Sequence, residues 1–166
     1  MPEKETLERA REDAREGKSP STQAGEFVKE EMDHIREGKH GARSTKQAIA
    51  IGLSKARRAG VKLAPPKKGT SSAATRTKAE RDLKKGRKPA KKKSAKRSRA
   101  VEGALKREGH SAASRASLSK QAKQAASKRS SAARSQSARK AARTKGAAER
   151  SAAARKAART RERRAA

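Results

Sequence analysis

The sequence predicts a mostly α-helical protein with extensive disorder, in which a small N-terminal module of two to three helices precedes a low-complexity Ala/Lys/Arg/Ser tail with latent helices. Leu, Ile, Val and Phe supply only 13 of 166 residues, too few for a core that includes the whole chain. Lys and Arg number 48 against 17 Asp and Glu, a net charge of +31 that opposes compaction. Apolar side chains at helical spacing occur mainly within residues 1–64.

The first predicted helix is short and weakly apolar. Pro2 and Glu3 are residue types typical of a helix start, and Gly17 is a typical helix stop. Leu7 and Ala10 give only a thin apolar stripe between them. We therefore expect this helix to contribute little to a core.

The second predicted helix carries the best apolar face of the chain. Ser19 before Pro20 is a capping residue followed by proline at the first helical position, and Gly38 ends the helix. Its apolar face consists of Phe27, Val28, Met32 and Ile35.

The third predicted helix begins at a capping box, Ser44 to Gln47, and ends at Gly60. Its apolar residues are Ala48, Ile49, Ile51, Leu53 and Ala56, and its basic residues are Lys46, Lys55, Arg57 and Arg58. We expect it to pack on the second helix as a hairpin of about 40 residues, close to the lower limit for a chain that folds without disulfides or metal.

Beyond the module, residues 1–64, the composition changes twice. Residues 65–74 form a Pro/Lys/Ser linker that opens with two prolines, and residues 75–166 form the basic low-complexity tail. Two tail segments, Thr75–Lys85 and Ser98–Glu108, are latent helices on either side of a flexible basic hinge at 88–93. The tail ends in two imperfect 16-residue repeats, 135–150 and 151–166, that share the heptapeptide ARKAART.

The stretch from Ser44 to Leu63, STKQAIAIGLSKARRAGVKL, resembles an uncharacterised bacterial family of small basic proteins. Members of that family are sometimes labelled DNA-binding or plasmid-stabilisation proteins. The resemblance extends to Ala104–Gly109 and the repeats, and it implies a nucleic-acid role without a mechanism. Separately, the KPAKKKSAK stretch at 88–96 resembles a linker-histone C-terminal domain, which implies a mode of binding.

The charge distribution points to nucleic acid as the partner. Residues 61–166 hold 35 basic and 6 acidic residues, and cations of that density bind phosphate through counterion release. We expect a non-enzymatic, nucleoid-associated protein that binds and compacts DNA with little sequence preference. The expected phosphate-binding residues are Lys46, Lys55, Arg57, Arg58, Lys62, Lys67, Lys68, Lys91, Lys92, Lys93, Lys96, Arg97, Arg139, Lys140, Arg143, Arg155, Lys156 and Arg159.

Two alternatives stay open at this stage. The same charge suits an RNA- or ribosome-associated protein, and a plasmid-stability scaffold would use the Phe27/Ile35 face to bind a protein partner. Sequence-specific readout by a helix-turn-helix is disfavoured, because the segment from Gly38 to Arg43 is longer than the usual turn and the chain contains no Asn. The tail is expected to be disordered when free and to gain helix on DNA.

The chain lacks the residues that several other functions require. Phe27 is the single aromatic side chain, so base stacking is disfavoured, and the chain has no cysteine for a thiolate metal site. His34, His40 and His110 show no i, i+4 pair, and we expect surface histidines, no metal, no cofactor and no small-molecule substrate. No run of about 18 apolar residues occurs, so we expect a cytoplasmic protein at the nucleoid rather than a membrane protein.

The acidic N-terminus leaves one further alternative. Residues 1–38 hold 11 acidic and 7 basic residues. They could fold back on the tail in competition with DNA, or they could be ordinary charges that match the dipole of their own helix.

Overall fold

The structure is a computed structural model that describes residues 2–87, 94–144 and 146–165. Its α-helices are α1 (Lys4–Arg15), α2 (Pro20–Arg36), α3 (Thr45–Arg58), α4 (Ala73–Gly86), α5 (Ala95–Lys106), α6 (Arg115–Ser127), α7 (Ser131–Thr144) and α8 (Ala147–Ala165), with a 3₁₀ turn at Ser111–Ala113. Helix accounts for 75% of the described residues. The expectation of extensive disorder is therefore wrong for the described part of the tail, and the predicted hinge at 88–93 lies outside the described residues.

Local signals explain why the predicted tail is helical. Four serines of this region accept hydrogen bonds from backbone N–H groups three residues ahead: Ser72 from Thr75, Ser94 from Arg97, Ser114 from Ser117 and Ser130 from Ala133, at 3.2–3.4 Å. Each bond satisfies one otherwise unpaired N–H of a first helical turn. Alanine, the best helix former, is frequent in the helices after these caps. Composition predicted disorder because it counts large apolar residues and does not count caps.

The N-terminal elements follow the sequence closely. Ser19 and Ser44 cap α2 and α3, and Pro20 is the first residue of α2. The three glycines predicted to stop these helices, Gly17, Gly38 and Gly60, all have positive φ, between 72° and 98°. This left-handed conformation favours glycine. The predicted starts and stops of the first three helices are confirmed.

The chain divides into two compact units, Met1–Gln121 and Ala122–Ala166, with the boundary inside α6. We call them the N-terminal unit and the C-terminal unit. Composition had placed its boundaries at 64, before α4, and at 74, within the first turn of α4. In the N-terminal unit α2 packs against both α1 and α3, and α4 packs against α3.

The N-terminal unit contains two small apolar clusters. The Phe27 cluster consists of Ala10, Ala24, Phe27, Ala56 and Val61, flanked by Leu7, Leu53 and Leu63. The Ile35 cluster consists of Met32, Ile35, Ala42, Ala48, Ala112 and Ala113, flanked by Val28, Ile49 and Leu118. Phe27 and Ile35 have no exposed surface, so the predicted apolar face of α2 is confirmed as core.

Close backbone approaches require glycine at several positions, two of which concern the hairpin of α2 and α3. A Cβ on Gly52 of α3 would lie 2.7 Å from Val28 Cα and 2.9 Å from Phe27 O, so its absence lets α3 pack directly on α2. A Cβ on Gly41 would lie 1.9 Å from Glu108 O. These contacts confirm the predicted hairpin and show that a later segment reaches it.

The region around α5 and the 3₁₀ turn is fixed to the loop between α2 and α3, residues 37–44. Gly41 N donates to Leu105 O at 2.9 Å, and Thr45 Oγ1 donates to Ala112 O at 2.7 Å in a buried bond. Residues assigned to the tail by composition therefore complete the core of the N-terminal unit.

The C-terminal unit has a different character. Its described side chains are exposed, apart from Ala133 and Ala142, which are half-buried. The repeated heptapeptide lies at the end of α7 in the first repeat and within α8 in the second. Within the described residues, no helix has both the length and the apolarity that crossing a membrane requires.

Candidate nucleic-acid interface

The four basic residues of α3 do not share one environment. Lys46, in the first turn, is exposed. Lys55, Arg57 and Arg58, in the last turn, contact other parts of the N-terminal unit. Two of the four predicted phosphate-binding residues of this helix, Lys46 and Arg58, are therefore exposed, and Arg58 also has an internal partner.

Lys55 is held by two carboxylates of α2. Its Nζ lies 2.7 Å from Glu31 Oε2 and 3.1 Å from Glu30 Oε1, and both carboxylates are almost fully buried. Burial opposes the charged form of Lys55, but the contacts with Glu31 and Glu30 outweigh it and raise the pKa of Lys55. Its charge therefore compensates buried acid between α2 and α3.

Arg57 and Arg58 fix the segments that follow α3. Arg57 is only 8% exposed, and its Nε donates to Leu63 O at 3.2 Å. Burial lowers the pKa of Arg57. Arg58 Nε lies 2.8 Å from Asp82 Oδ1, and this ion pair connects α3 to α4. Asp82 also accepts a hydrogen bond from Ser54, so one buried carboxylate joins two turns of α3.

The predicted binding residues after α3 are exposed where the structure describes them. Lys62, Lys67 and Lys68 are exposed in the irregular segment before α4, and Lys96 and Arg97 are exposed in the first turn of α5. Lys91, Lys92 and Lys93 lie outside the described residues.

The cations of the two repeats are exposed on helices. Arg139, Lys140 and Arg143 lie on α7, and Arg155, Lys156 and Arg159 occupy the matching positions on α8. The spacing i, i+1, i+4 keeps each set of three on one side of its helix. The C-terminal unit holds 15 Lys and Arg and two Glu.

Several acidic residues of segment 1–38 have cationic partners within the N-terminal unit. Glu26 of α2 lies 2.9 Å from Arg9, Asp13 lies 2.7 Å from Lys18, and Glu3 lies 3.1 Å from Lys39. Hydrogen bonds from His34 and Lys39 lower the pKa of Glu3. These ion pairs neutralise negative charges of residues 1–38 within the N-terminal unit.

Sequence reasoning missed the partners of these cations because they are distant in the chain. Glu30 and Glu31 precede Lys55 by about two dozen residues, and Asp82 follows Arg58 by a similar number. One residue in the sequence could have indicated such a partner. Asp82 is one of six acidic residues after position 60, and it lies within a predicted helix among cations. Of the two acidic residues of α4, Glu80 pairs with Arg76 inside the helix, whereas Asp82 has its partner in α3.

Comparison with known proteins adds one match. The profile of a family of unknown function (DUF6496) matches residues 15–68, from the end of α1 through α3 and the following segment. The match includes the stretch from Ser44 to Leu63 and none of α4–α8. No curated protein and no solved structure matches the chain. The similarity thus concerns the α2–α3 hairpin, with no function attached to it.

Proposed function

We propose that this protein is a non-enzymatic nucleic-acid binder that holds duplex DNA through its phosphates with little sequence preference. The observation that carries the proposal is the exposure of the repeat cations on α7 and α8. They lie on helices with almost no apolar burial of their own, in a unit with 15 basic and two acidic residues. Exposed cations at this density exchange condensed counterions at the phosphate backbone.

The N-terminal unit has a supporting role in this proposal. Lys55, Arg57 and Arg58 make contacts within the unit. Of these three only Arg58 is also exposed, and the members of the predicted set that are exposed without such a contact are Lys46, Lys62, Lys67, Lys68, Lys96 and Arg97. Those residues contribute further phosphate contacts. Because DNA is the proposed partner, we also propose that the protein acts at the nucleoid.

The proposed binding mode differs from base readout. Hydrogen bonds to phosphates carry no sequence information, and specificity needs side chains that reach base edges. The exposed residues are Lys and Arg on Ala- and Ser-rich helices, an arrangement suited to the backbone. Phe27 and Ile35 have no exposed surface, so the proposal does not use their face for a protein partner.

The test compares two triple variants of the full chain with equal loss of charge. In the first, Arg155→Gln, Lys156→Gln and Arg159→Gln remove three exposed cations of α8; in the second, Lys4→Gln, Arg11→Gln and Arg15→Gln remove three exposed cations of α1. Glutamine is a good helix former, so helicity is retained in both. Fluorescence anisotropy measures affinity for a random duplex of about 30 base pairs across a series of salt concentrations.

The α8 variant should reduce the slope of log K against log salt by about 2 to 3, because each lost phosphate contact accounts for about 0.9. The α1 variant should leave the slope within about 0.5 of the wild-type value. Equal effects of the two variants would mean that binding depends only on the net charge of the chain. They would contradict the assignment of the interface to the C-terminal helices.

RNA is the second partner that the same cations suit, because its backbone has the same charge. Treatment of a native pull-down with DNase or RNase separates the two partners. Release of the protein by DNase alone supports DNA, and release by RNase alone supports RNA.

A further inference from the structure

One cluster of metal-ligating side chains in the N-terminal unit has no part in nucleic-acid binding. Glu31 and His34 lie three residues apart on α2, and His40 lies in the loop that follows. One ligand atom from each of the three lies within 4.8 Å of the other two. The two imidazole rings meet edge to face with centroids 6.0 Å apart. Helical i, i+4 spacing does not reveal this cluster, because the second histidine comes from the loop.

These side chains are not surface groups. Glu31 is fully buried, and the side chains of His34 and His40 are 13% and 15% exposed. Within the described residues neither carboxylate oxygen of Glu31 has a hydrogen bond of acceptable geometry, although Lys55 Nζ approaches Oε2 to 2.7 Å. Lys55 compensates the carboxylate on its Oε2 side, whereas Oε1 faces the imidazole of His40 at 3.3 Å.

The contacts of His40 show which nitrogen faces Glu31. Its Nδ1 lies 3.1 Å from Gly41 O, an acceptor, so Nδ1 carries the proton that it donates. The other nitrogen, Nε2, then presents a lone pair to Glu31 Oε1 at 3.3 Å. Two acceptors at this distance need a cation or a second proton between them. Two donors bound to one tetrahedral ion at about 2.0–2.1 Å are about 3.3–3.4 Å apart, which matches the observed separation.

His34 has a similar outer contact. Its Nε2 lies 2.9 Å from Glu3 Oε1. A histidine that binds a metal through one nitrogen usually donates the other N–H to a carboxylate or a backbone carbonyl. Glu3 and Gly41 O provide one such acceptor for each histidine. If His34 keeps its bond to Glu3, Nδ1 is the nitrogen that remains for an ion.

We propose that Glu31, His34 and His40 form a binding site for a divalent transition-metal ion of the Zn²⁺ type. Two imidazoles and one carboxylate are a donor set that Zn²⁺ accepts, with a coordination position left over. The nearby charges permit a cation, since the carboxylates of Glu3, Glu30 and Glu31 outnumber the ammonium groups of Lys39 and Lys55 that contact them. A cleft of about 240 Å³ lies on the outer side of this cluster and is lined in part by Glu3 and His34.

The ion would fasten α2 to the loop that holds α5. His40 is next to Gly41, whose N–H donates to Leu105 O. Binding therefore stabilises the docking of α5 and the 3₁₀ turn on the α2–α3 hairpin. This role is independent of whether the protein binds nucleic acid.

The experiment uses the full chain, stripped with a chelator and titrated with Zn²⁺ by calorimetry and with Co²⁺ by visible absorption. We expect one ion per chain, intense Co²⁺ bands typical of low coordination number, and a higher melting temperature with Zn²⁺. Glu31→Gln, His34→Gln and His40→Gln should each weaken binding by at least about tenfold, and Glu3→Gln should weaken it by about 10- to 100-fold. His110→Gln, which changes the remaining histidine outside the cluster, should bind as the wild type does.

A readout on the unmodified chain keeps the proposal falsifiable if a variant fails to fold. The chain has three histidines, so their imidazole C–H signals are separable by NMR. Zn²⁺ should shift the signals of His34 and His40 and leave that of His110 in place. Shifts of all three alike, no binding by the wild type, or unchanged affinity in folded ligand variants would overturn the proposal and leave a proton between His40 and Glu31.

Discussion

At the scale of single residues, the chain uses its cations in two ways that composition cannot separate. Lys55 and Lys46 are both lysines of α3, yet the first lies against two buried carboxylates and the second is exposed. Net charge counts them equally. Their contributions to the free energy of folding differ, because a charge removed from water needs an oppositely charged partner, whereas an exposed charge is solvated by water. The residues that we propose to bind phosphate are thus a subset of the basic residues, selected by exposure.

Lys55→Met tests this distinction. The change leaves Glu31 and Glu30 buried without their compensating ammonium, and we expect a loss of about 2–4 kcal/mol in the free energy of unfolding. Lys46→Met, on the same helix, should change stability by less than about 0.5 kcal/mol. Urea denaturation followed by circular dichroism, in chelator so that no metal ion substitutes for the lysine, gives both values. Equal effects would mean that Glu31 does not depend on Lys55.

At the scale of helices, the sequence was most informative where local signals and apolar spacing agreed. Ser19, Ser44 and the glycines after α2 and α3 predicted the bounds of both helices. The same logic applied to Ser94 or Ser130 would have predicted α5 and α7, but the scarcity of large apolar residues outweighed it. Composition measures what a segment can bury and leaves out what caps and alanine contribute locally.

The packing partners of the later helices could not be predicted from the sequence. Ala112 and Ala113 are buried in the Ile35 cluster, although no apolar spacing distinguishes them from the other alanines of the chain. Their position depends on hydrogen bonds to their backbone carbonyls, from Thr45 Oγ1 to Ala112 O and from Arg36 Nε to Ala113 O, whose donors are about 70 residues away in the chain. The metal-ligating cluster was missed for a related reason, since His40 meets Glu31 through the loop.

A pair of glycine substitutions tests the contact between α2 and α3. Gly52→Ala places a methyl group 2.7 Å from Val28 Cα, against backbone that cannot yield cheaply, and should destabilise the chain by about 1–3 kcal/mol. Gly25→Ala, within α2, meets nothing within 4 Å and should stabilise it by about 0.5–1 kcal/mol through helix propensity. Thermal denaturation of both variants provides the comparison. A stabilising Gly52→Ala would contradict the close crossing.

At the scale of the whole molecule, the two units divide the work between packing and charge. The N-terminal unit, with 33 basic and 15 acidic residues, forms ion pairs and two small cores, whereas the C-terminal unit has few acidic residues to pair with its cations. Charge in excess of internal pairing is available for a polyanion. Affinity should consequently depend on salt much more than on DNA sequence.

Salt dependence provides a prediction for the intact chain. If about ten phosphates are engaged, log K for random duplex DNA should fall with log salt with a slope of about −9. Duplexes of different sequence should differ little in affinity at fixed salt, because the contacts are to the backbone. Filter binding with several unrelated duplexes measures both quantities. A preference above about a hundredfold for one sequence would instead indicate base readout.

The last prediction concerns where the chain can be cut. A truncation after Gly69 removes Asp82, which pairs with Arg58, as well as Ala112 and Ala113, so it should damage the N-terminal unit. Truncation after Gln121 keeps these contacts and removes 15 basic and two acidic residues.

We expect the 1–121 chain to retain cooperative melting while its DNA affinity and salt slope both fall, since the exposed helices α7 and α8 are gone. The 1–69 chain should lose cooperative melting, because its hairpin lacks the partners that complete both sides. Calorimetry and anisotropy on the two truncations separate folding from binding. Unchanged DNA affinity in the 1–121 chain would place the interface among the exposed cations of the N-terminal unit, and cooperative melting of the 1–69 chain would show that the hairpin needs no later segment.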